Sequence, residues 1–301
     1  MRAIARRARG ALILMVLAGL AAAPPAVAAT YADLLSAMPD AAWLRPDPND
    51  TLYLDLATGR VVILLAADFA PAHRDNVRRL VRARYFDGLH INRVQDDYVT
   101  QWGNNDGERA LPAGIGVLKA EFDRPVDAKL PFRRLADGDV YAAEVGLLRG
   151  FPVARDPHAG RMWLAHCYGM VGVGRDEGAD TGSGEELYVV IGHAPRHLDR
   201  NVTLIGRVLS GMEHLSALPR GHAEMGFYEP GEARPSIIAM RLAADLPPAE
   251  RVPVEILNTA APEYERLIEA RRRREDPFFV SKAGRVDLCN APLPVRLHPQ
   301  P

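Results

Sequence analysis

Short apolar or alternating segments separated by turns recur along the chain, and they constrain the fold more than any other feature of the sequence. Thr51–Leu56 alternates with leucines on one face, and Arg60–Leu65 follows it across a Thr58-Gly59 turn, as in a β-hairpin. Further strand-like segments lie at Leu89–Val94, Tyr98–Trp102, Val117–Phe122, Met162–Cys167, Leu187–Ile191, Val202–Val208 and Ile237–Leu242. The pattern predicts a mainly β fold, either a barrel or a sandwich.

Helical patterns are few and mostly short. The clearest begins near Pro71, which suits a first helical turn, and places Val77, Leu80 and Val81 on one stripe. Other short helices are predicted within Tyr31–Leu44, Ser210–Leu218 and Pro262–Arg274.

The N-terminus has the pattern of a secretory signal peptide. Four arginines lie within residues 2–9, residues 11–23 are unbroken apolar sequence, and Ala26-Val27-Ala28 supplies small residues for cleavage. The alternative, a membrane anchor, would need about 20 apolar residues, whereas this run is shorter and is broken by two prolines. We therefore predict cleavage after Ala28 or Ala29 and a periplasmic protein, rather than one released to the medium.

The charge of the mature chain argues against nucleic acid as a partner. The whole chain has a net charge of −1, and removal of residues 1–28 with their four arginines leaves about −5. The Arg271–Arg274 run could be a nucleic-acid patch, but it lies at a predicted helix C-terminus, where solvated cations are common. The mature chain contains no further apolar run long enough to span a membrane.

Two cysteines, Cys167 and Cys289, leave two alternatives open. In an oxidising compartment an even count allows one disulfide between them. Alternatively, Cys167 is a small buried hydrophobe within an apolar stretch. Neither has the C-x-x-C spacing of a redox or zinc site, and the histidines show no metal-ligand spacing such as H-E-x-x-H.

Two blocks of sequence resemble the cyclophilin family. In the first, Ala70-Pro71, Asn76-Val77, Tyr85–Gly88, Ile91–Val94 and Asp97–Asn104 are similar to that family's first helix and the strands after it. In the second, Gly169–Arg175, Gly184–Val189, Leu198-Asp199, Ile205–Val208 and Gly211-Met212 follow in the family's order. The resemblance covers about 160 residues and keeps the spacing of Arg93, Tyr98 and Gln101.

The resemblance implies an eight-stranded antiparallel β-barrel capped by two α-helices, with short N- and C-terminal helical extensions. We assign residues 1–28 to the signal peptide, 29–48 to the N-terminal extension, 49–258 to the barrel and 259–301 to the C-terminal helix and tail. Residues 104–169 are longer than the family requires and predict an excursion beside the groove, with turns at Asp137–Asp139 and Leu148–Gly150.

The resemblance further implies a peptidyl-prolyl cis/trans isomerase that acts on proline-containing, unfolded or partly folded exported polypeptides. The amide bond has a rotation barrier of about 18–20 kcal/mol, and no bond is broken when it rotates. The reaction therefore needs an apolar pocket for proline and a donor that stabilises the twisted amide, and we expect no cofactor or metal.

By resemblance, Arg93 is the donor and Gln101 holds it and the substrate backbone by hydrogen bonds. The residues expected to bind substrate are Tyr98, Val99, Gly174, Arg175, Glu186, Tyr188 and Leu198.

Several departures from the family pattern support an alternative function. Asn92, Tyr188, His197 and Val202 replace a histidine, a phenylalanine, a tryptophan and a second histidine. Asp96-Asp97 replaces a Pro-Gly pair before the aromatic residue, and Trp102 replaces a glycine and is expected to crowd the groove. The alternative is a non-catalytic peptide-binding or chaperone module with a cyclophilin-like barrel and a degenerate pocket.

Overall fold

The structure is a computed structural model that describes residues 29–104, 107, 109–177 and 181–298. The predicted signal peptide lies outside these residues. Among the residues described, no helix is both long enough and apolar enough to cross a membrane.

The described residues form four α-helices and sixteen strands. The helices are α1 (Tyr31–Ser36), α2 (Pro71–Arg82), α3 (Met212–Ser216) and α4 (Pro262–Arg273). The first eight strands are β1 (Trp43–Leu44), β2 (Thr51–Leu56), β3 (Gly59–Leu65), β4 (His90–Val94), β5 (Val99–Gly103), β6 (Arg124–Pro125), β7 (Phe132–Leu135) and β8 (Glu144–Leu148). The others are β9 (Phe151–Asp156), β10 (Arg161–Leu164), β11 (Met170–Val173), β12 (Glu186–Val190), β13 (Leu204–Ser210), β14 (Ile237–Leu242), β15 (Val254–Leu257) and β16 (Val295–Leu297).

Eight strands form the predicted antiparallel barrel, in the order β14-β2-β3-β13-β11-β12-β5-β4. The two edge strands, β14 and β4, approach each other and nearly close it. The Ile237 amide donates to the Leu89 carbonyl at 2.8 Å, and the Ile91 amide donates to the Pro235 carbonyl at 2.9 Å. These bonds satisfy edge groups that would otherwise be open to pairing with another chain.

The barrel interior is filled by the inward residues of each strand. Leu52, Leu54 and Leu56 share the interior face of β2, as their alternation predicts. Trp102 also points inward and is fully buried, so the expectation that it crowds the groove is wrong. Because side chains alternate along a strand, the outward position of Gln101 requires the next residue to face the interior.

Two helices cap the barrel, as predicted. Val77, Leu80 and Val81 of α2 pack into the interior, and Leu215 of α3 joins the same core. The N-terminus of α2 receives the Glu121 carboxylate, which accepts from the amides of residues 72 and 73 at 3.0 and 2.9 Å. A carboxylate is favoured there because the first amides of a helix lack partners within it.

A second body of structure packs on the outside of the barrel, and we call it the outer module. It contains a five-stranded sheet in the order β6-β10-β9-β8-β7, a three-stranded sheet in the order β1-β15-β16, and helices α1 and α4. Its core is continuous with Tyr53, Val62 and Leu64, which lie on the outer face of the β2–β3 hairpin. Both faces of that hairpin are therefore buried.

The excursion of residues 104–169 thus contains the five-stranded sheet, and one strand expectation within it needs correction. Val117–Phe122 forms no strand, although its residues alternate, because it runs across the N-terminus of α2 instead of pairing with the barrel. The predicted strand within Met162–Cys167 is confirmed as β10, which lies in the outer sheet. The predicted turn at Leu148–Gly150 does connect β8 to β9, with Arg149 and Gly150 both at positive φ.

Cys167 and Cys289 are joined by a disulfide with a Cα–Cα distance of 5.0 Å. The bridge links residues 122 positions apart and ties the C-terminal tail to the segment that leads into β11.

Candidate active site

A groove of about 430 Å³ lies over the outer face of four adjacent barrel strands, β4, β5, β12 and β11. The strand order places residues that are far apart in sequence side by side: Arg93 pairs with Gln101, and Gln101 pairs with Tyr188. All nine residues that the sequence predicted for the site line this groove: Arg93, Tyr98, Val99, Gln101, Gly174, Arg175, Glu186, Tyr188 and Leu198.

The guanidinium of Arg93 is held at the groove by neutral acceptors. Its Nε donates to the Met225 carbonyl at 2.6 Å, and its two terminal nitrogens donate to the side-chain oxygens of Gln101, at 3.4 Å, and Gln95. Burial lowers the pKa of Arg93, but a guanidinium stays protonated at physiological pH. The site therefore keeps a fixed positive charge on a planar set of donors.

Glu186 fixes the orientation of the Gln101 amide. The Gln101 Nε2 donates to the Glu186 Oε2 at 2.7 Å. Because an ionised carboxylate can only accept hydrogen bonds, the NH₂ group must face Glu186 and the amide oxygen must face Arg93. The carboxylate thus orients the amide, and the amide orients the guanidinium.

An apolar pocket lies beside Arg93. Val99, Tyr188 and Val190 form a small buried cluster, and Tyr98 and Val202 pack against it. Leu198, in a 3₁₀ turn over Arg196–Leu198, lines the groove next to this cluster. The Arg93 guanidinium carbon is 5.4 Å from the ring centroid of Tyr98, within the range of a cation–π contact.

The Tyr188 hydroxyl, which departs from the family's phenylalanine, has a partner below the pocket. It lies 2.9 Å from the His166 Nε2. Burial raises the pKa of Tyr188, so the hydroxyl remains protonated. Sequence reasoning assigned no role to His166, although its place within an apolar stretch and the extra hydroxyl of Tyr188 both signalled a buried polar partner.

The far side of the groove is shaped by Gly174 and Arg175. A side chain at Gly174 would place its Cβ 2.9 Å from the Cβ of Glu186, so a larger residue at this position would require Glu186 to shift. The Arg175 Nε donates to the Asn201 carbonyl at 2.9 Å, and its guanidinium lies 5.9 Å from the Phe122 ring centroid.

Sequence reasoning missed several other lining residues, chiefly Met225 and Phe227. Both come from the segment after α3, which crosses β4 through a bridge between Arg93 and Phe227. Met225 contributes its backbone carbonyl and has a positive φ of 55°. A carbonyl carries no sequence signal, so only the folded chain could identify this contact.

The arrangement combines an apolar pocket with a cation at its rim. An apolar wall excludes water from a proline ring, and a fixed donor beside it stabilises an acceptor that becomes more basic as the ring's amide twists. This is the combination that rotation about an X-Pro bond requires.

Comparison with known proteins gives a consistent result. Residues 51–238 match the family model "Cyclophilin type peptidyl-prolyl cis-trans isomerase/CLD". Probable peptidyl-prolyl cis-trans isomerases from Brucella suis and Brucella abortus are each 26% identical over 192 residues, which is 60% of this chain and 77% of theirs.

The crystal structure of the cyclophilin AquaCyp293 from Hirschia baltica superposes with a TM-score of 0.69 at 22% identity. The match covers 85% of this chain and 93% of that one, and it supports the fold. The family match spans well over half of this chain, and it includes every barrel strand that lines the groove. The chain therefore belongs to the cyclophilin-type peptidyl-prolyl cis-trans isomerases.

Proposed function

We propose that this isomerase acts on X-Pro bonds of exported polypeptides in the periplasm and that Arg93 stabilises the twisted amide. The observation that carries the role of Arg93 is its position: a half-buried guanidinium at the rim of an apolar pocket, hydrogen-bonded in the described chain to three neutral acceptors. No carboxylate among those acceptors offsets its charge, so the charge is available to substrate.

The mechanism follows from what changes during rotation. In the planar amide the nitrogen lone pair is delocalised into the carbonyl, and in the twisted amide it is localised on nitrogen. A donor placed at the nitrogen therefore binds the twisted state more tightly than the planar one, which lowers the barrier. Tyr98, Val99, Tyr188 and Leu198 hold the proline ring, and Gln101 keeps Arg93 in place.

Replacement of Arg93 tests this role. Arg93→Ala should lower kcat/KM in a protease-coupled prolyl-peptide assay by at least about tenfold, equivalent to about 1.4 kcal/mol. Arg93→Lys should also lose most activity, since an ammonium on a flexible stem does not reproduce the planar fork of donors. Tyr98→Ala should instead raise KM, because it removes pocket wall rather than the donor.

The control is Arg134→Ala, which removes an exposed arginine from β7, outside the groove. It should leave kcat/KM at the wild-type value. Circular dichroism must first show that each variant is folded. A rate for Arg93→Ala equal to that of wild type would refute the proposed role.

The second candidate function is peptide binding without turnover. The departures Asp96-Asp97, Val202 and Tyr188 favour it, because they alter the surroundings of the pocket. A protein of this kind would bind proline peptides with an affinity indifferent to Arg93 and would not accelerate isomerisation for any residue before proline.

The proposal of export rests on the arginine-rich, apolar and small-residue order of residues 1–28. N-terminal sequencing of the folded product should find Ala29 or Thr30, in the periplasmic fraction. Recovery of a product that starts at Met1 or Arg2 would contradict it.

A further inference from the structure

A chain of buried polar side chains lies directly beneath the proline pocket. The Tyr188 hydroxyl is 2.9 Å from the His166 Nε2, and the His166 Nδ1 is 3.0 Å from the Asp199 Oδ1. The His166 side chain is fully buried, and that of Asp199 is 7% exposed. Solvent therefore does not compete for these bonds, and each polar group depends on its neighbour in the chain.

The direction of each hydrogen bond follows from the charges. Hydrogen bonds from His166 and Arg196 hold the pKa of Asp199 below its usual range despite burial, and burial lowers the pKa of His166. Asp199 is then an ionised acceptor and His166 a neutral ring, so the proton of His166 is on Nδ1. Its Nε2 has a free lone pair, and the Tyr188 hydroxyl donates to it.

The backbone around Tyr188 leaves room for this arrangement. Gly172 pairs with Tyr188 across β11 and β12. A Cβ at residue 172 would lie 2.2 Å from the Tyr188 Cζ and 2.3 Å from its hydroxyl oxygen. Any larger residue at 172 would displace the far end of the ring, so this glycine and this hydrogen bond together set where the ring lies.

This series of hydrogen-bonded side chains continues into the outer module. Asp199 accepts from the Arg196 Nε at 2.7 Å, and Arg196 donates two further bonds, at 2.8 and 3.1 Å, to Asp139. The side chains of Arg196 and Asp139 are 5% and 3% exposed. Asp199 directly follows Leu198 of the pocket wall, so one chain of bonds anchors both the floor and a wall of the pocket.

We propose that His166 is a positioning residue for the isomerase: by accepting from Tyr188 and donating to Asp199, it fixes the pocket at the width that a proline ring requires. This inference rests on the proposed role of Tyr188 in binding proline. The hydroxyl lies on the ring axis, so the bond fixes the depth and tilt of the ring. A pocket whose side chains are already ordered loses less conformational entropy when it binds its ligand.

Two substitutions of His166 separate its two hydrogen bonds. The amide nitrogen of Asn occupies the place of Nδ1, so His166→Asn keeps a donor to Asp199 and loses the acceptor for Tyr188. The amide group of Gln reaches the place of Nε2, so His166→Gln keeps the acceptor for Tyr188. Tyr188→Phe removes the same bond from the other side, without shortening the ring.

The measurements are the Kd of a proline peptide, by calorimetry, and the separate KM and kcat for isomerisation. Tyr188→Phe and His166→Asn should each raise Kd and KM by about three- to tenfold, the effect of losing one buried hydrogen bond, with kcat changed less than twofold. The double variant should be no worse than the poorer single variant, since both remove one bond. His166→Gln, which keeps the acceptor for Tyr188 but loses the donor to Asp199, should raise Kd and KM less than His166→Asn does.

The matched control is Tyr264→Phe, which removes a buried tyrosine hydroxyl that donates to the Pro292 carbonyl at 2.6 Å in the outer module. It should lower stability and leave Kd and KM unchanged. Wild-type Kd and KM in folded Tyr188→Phe would overturn the inference even if His166→Asn failed to fold. An equal rise in Tyr264→Phe would also overturn it, by showing a general structural effect.

These outcomes are distinct from failure of the proposed function. If wild type binds the peptide but does not isomerise it, Kd alone still decides the role of His166. If Arg93→Ala loses activity while Tyr188→Phe keeps its affinity, the proposed function stands and this inference fails.

Discussion

The barrel and the outer module bury comparable cores but are assembled in different ways. The barrel alternates hairpins, such as β4–β5 and β11–β12, with long-range pairs such as β12–β5, which brings Tyr188 beside Gln101. The five-stranded sheet of the outer module is built mainly from the consecutive strands β7 to β10, and long-range contacts enter the module through Trp43 with Leu257 and the Cys167–Cys289 bridge. The contrast shows that long-range strand pairing assembles the site, whereas the outer sheet forms by local pairing and packs on the outside of the barrel.

The two regions also differ in how they use charge. In the groove, the guanidinium of Arg93 is bonded to neutral oxygens and keeps its charge for substrate. In the outer module, cations are matched by carboxylates: Arg272 with Asp137 at 2.8 Å, and Arg296 with Glu255 at 2.6 Å. Paired charges hold segments together, and a charge without a carboxylate partner can act on a ligand.

The largest expected effect is in the barrel core. Trp102→Ala should lower the free energy of unfolding by about 3–5 kcal/mol, because it removes a fully buried indole and leaves a cavity. Urea unfolding followed by circular dichroism measures the change. The matched variant Trp43→Ala, in the outer module, removes a partly exposed indole and should cost less. Equal losses would break the distinction between a closed barrel core and a more open module.

The next effect concerns the disulfide. Cys167→Ala with Cys289→Ser should lower the free energy of unfolding by about 2–4 kcal/mol, since a bridge across 122 positions restricts the unfolded chain. Thermal unfolding with and without reductant measures it, and reductant should have no effect on the variant. Two free thiols in denatured, unreduced wild type would show that no bridge forms.

The same double variant also tests whether the groove depends on the outer module. Its bridge lies outside the groove, so kcat/KM should stay within about threefold of wild type under conditions where it is folded. A larger loss would show that the groove depends on the tail more directly than the contacts indicate.

The smallest effect is electrostatic. Hydrogen bonds from His298, Arg296 and Arg45 lower the pKa of Glu255 from 4.5 to about 2. Because the folded pKa is depressed, its stabilising contribution is complete above about pH 5 and is lost as the pH falls from 4.5 towards 2. Glu255→Gln should therefore cost about 1 kcal/mol at pH 7, a value reduced by solvent screening of its exposed partners.

Urea unfolding at pH 7 and at pH 3 tests this dependence. The difference between wild type and Glu255→Gln should shrink at pH 3. A difference that stayed constant between the two pH values would mean that the Glu255 charge is not responsible.

Much of the barrel could be predicted because its determinants are local. The alternation of Thr51–Leu56, the stripe on α2 and the spacing of Arg93 from Gln101 are properties of short segments, and each fixes which side chains share a face. The structure agrees with all three. The expectation that Trp102 crowds the groove was wrong, because the same alternation along β5 turns residue 102 into the barrel interior when Gln101 faces outward.

The tertiary structure alone decided the rest, because those contacts depend on which distant segments meet. The Val117–Phe122 segment has the pattern of a strand, yet in the described part of the chain it belongs to no strand and instead runs across the N-terminus of α2. The carbonyl that holds Arg93 belongs to Met225, and the acceptor of the Tyr188 hydroxyl belongs to His166. Sequence determined the residue types and their faces; the long-range packing of the folded chain determined which of them could form hydrogen bonds with each other.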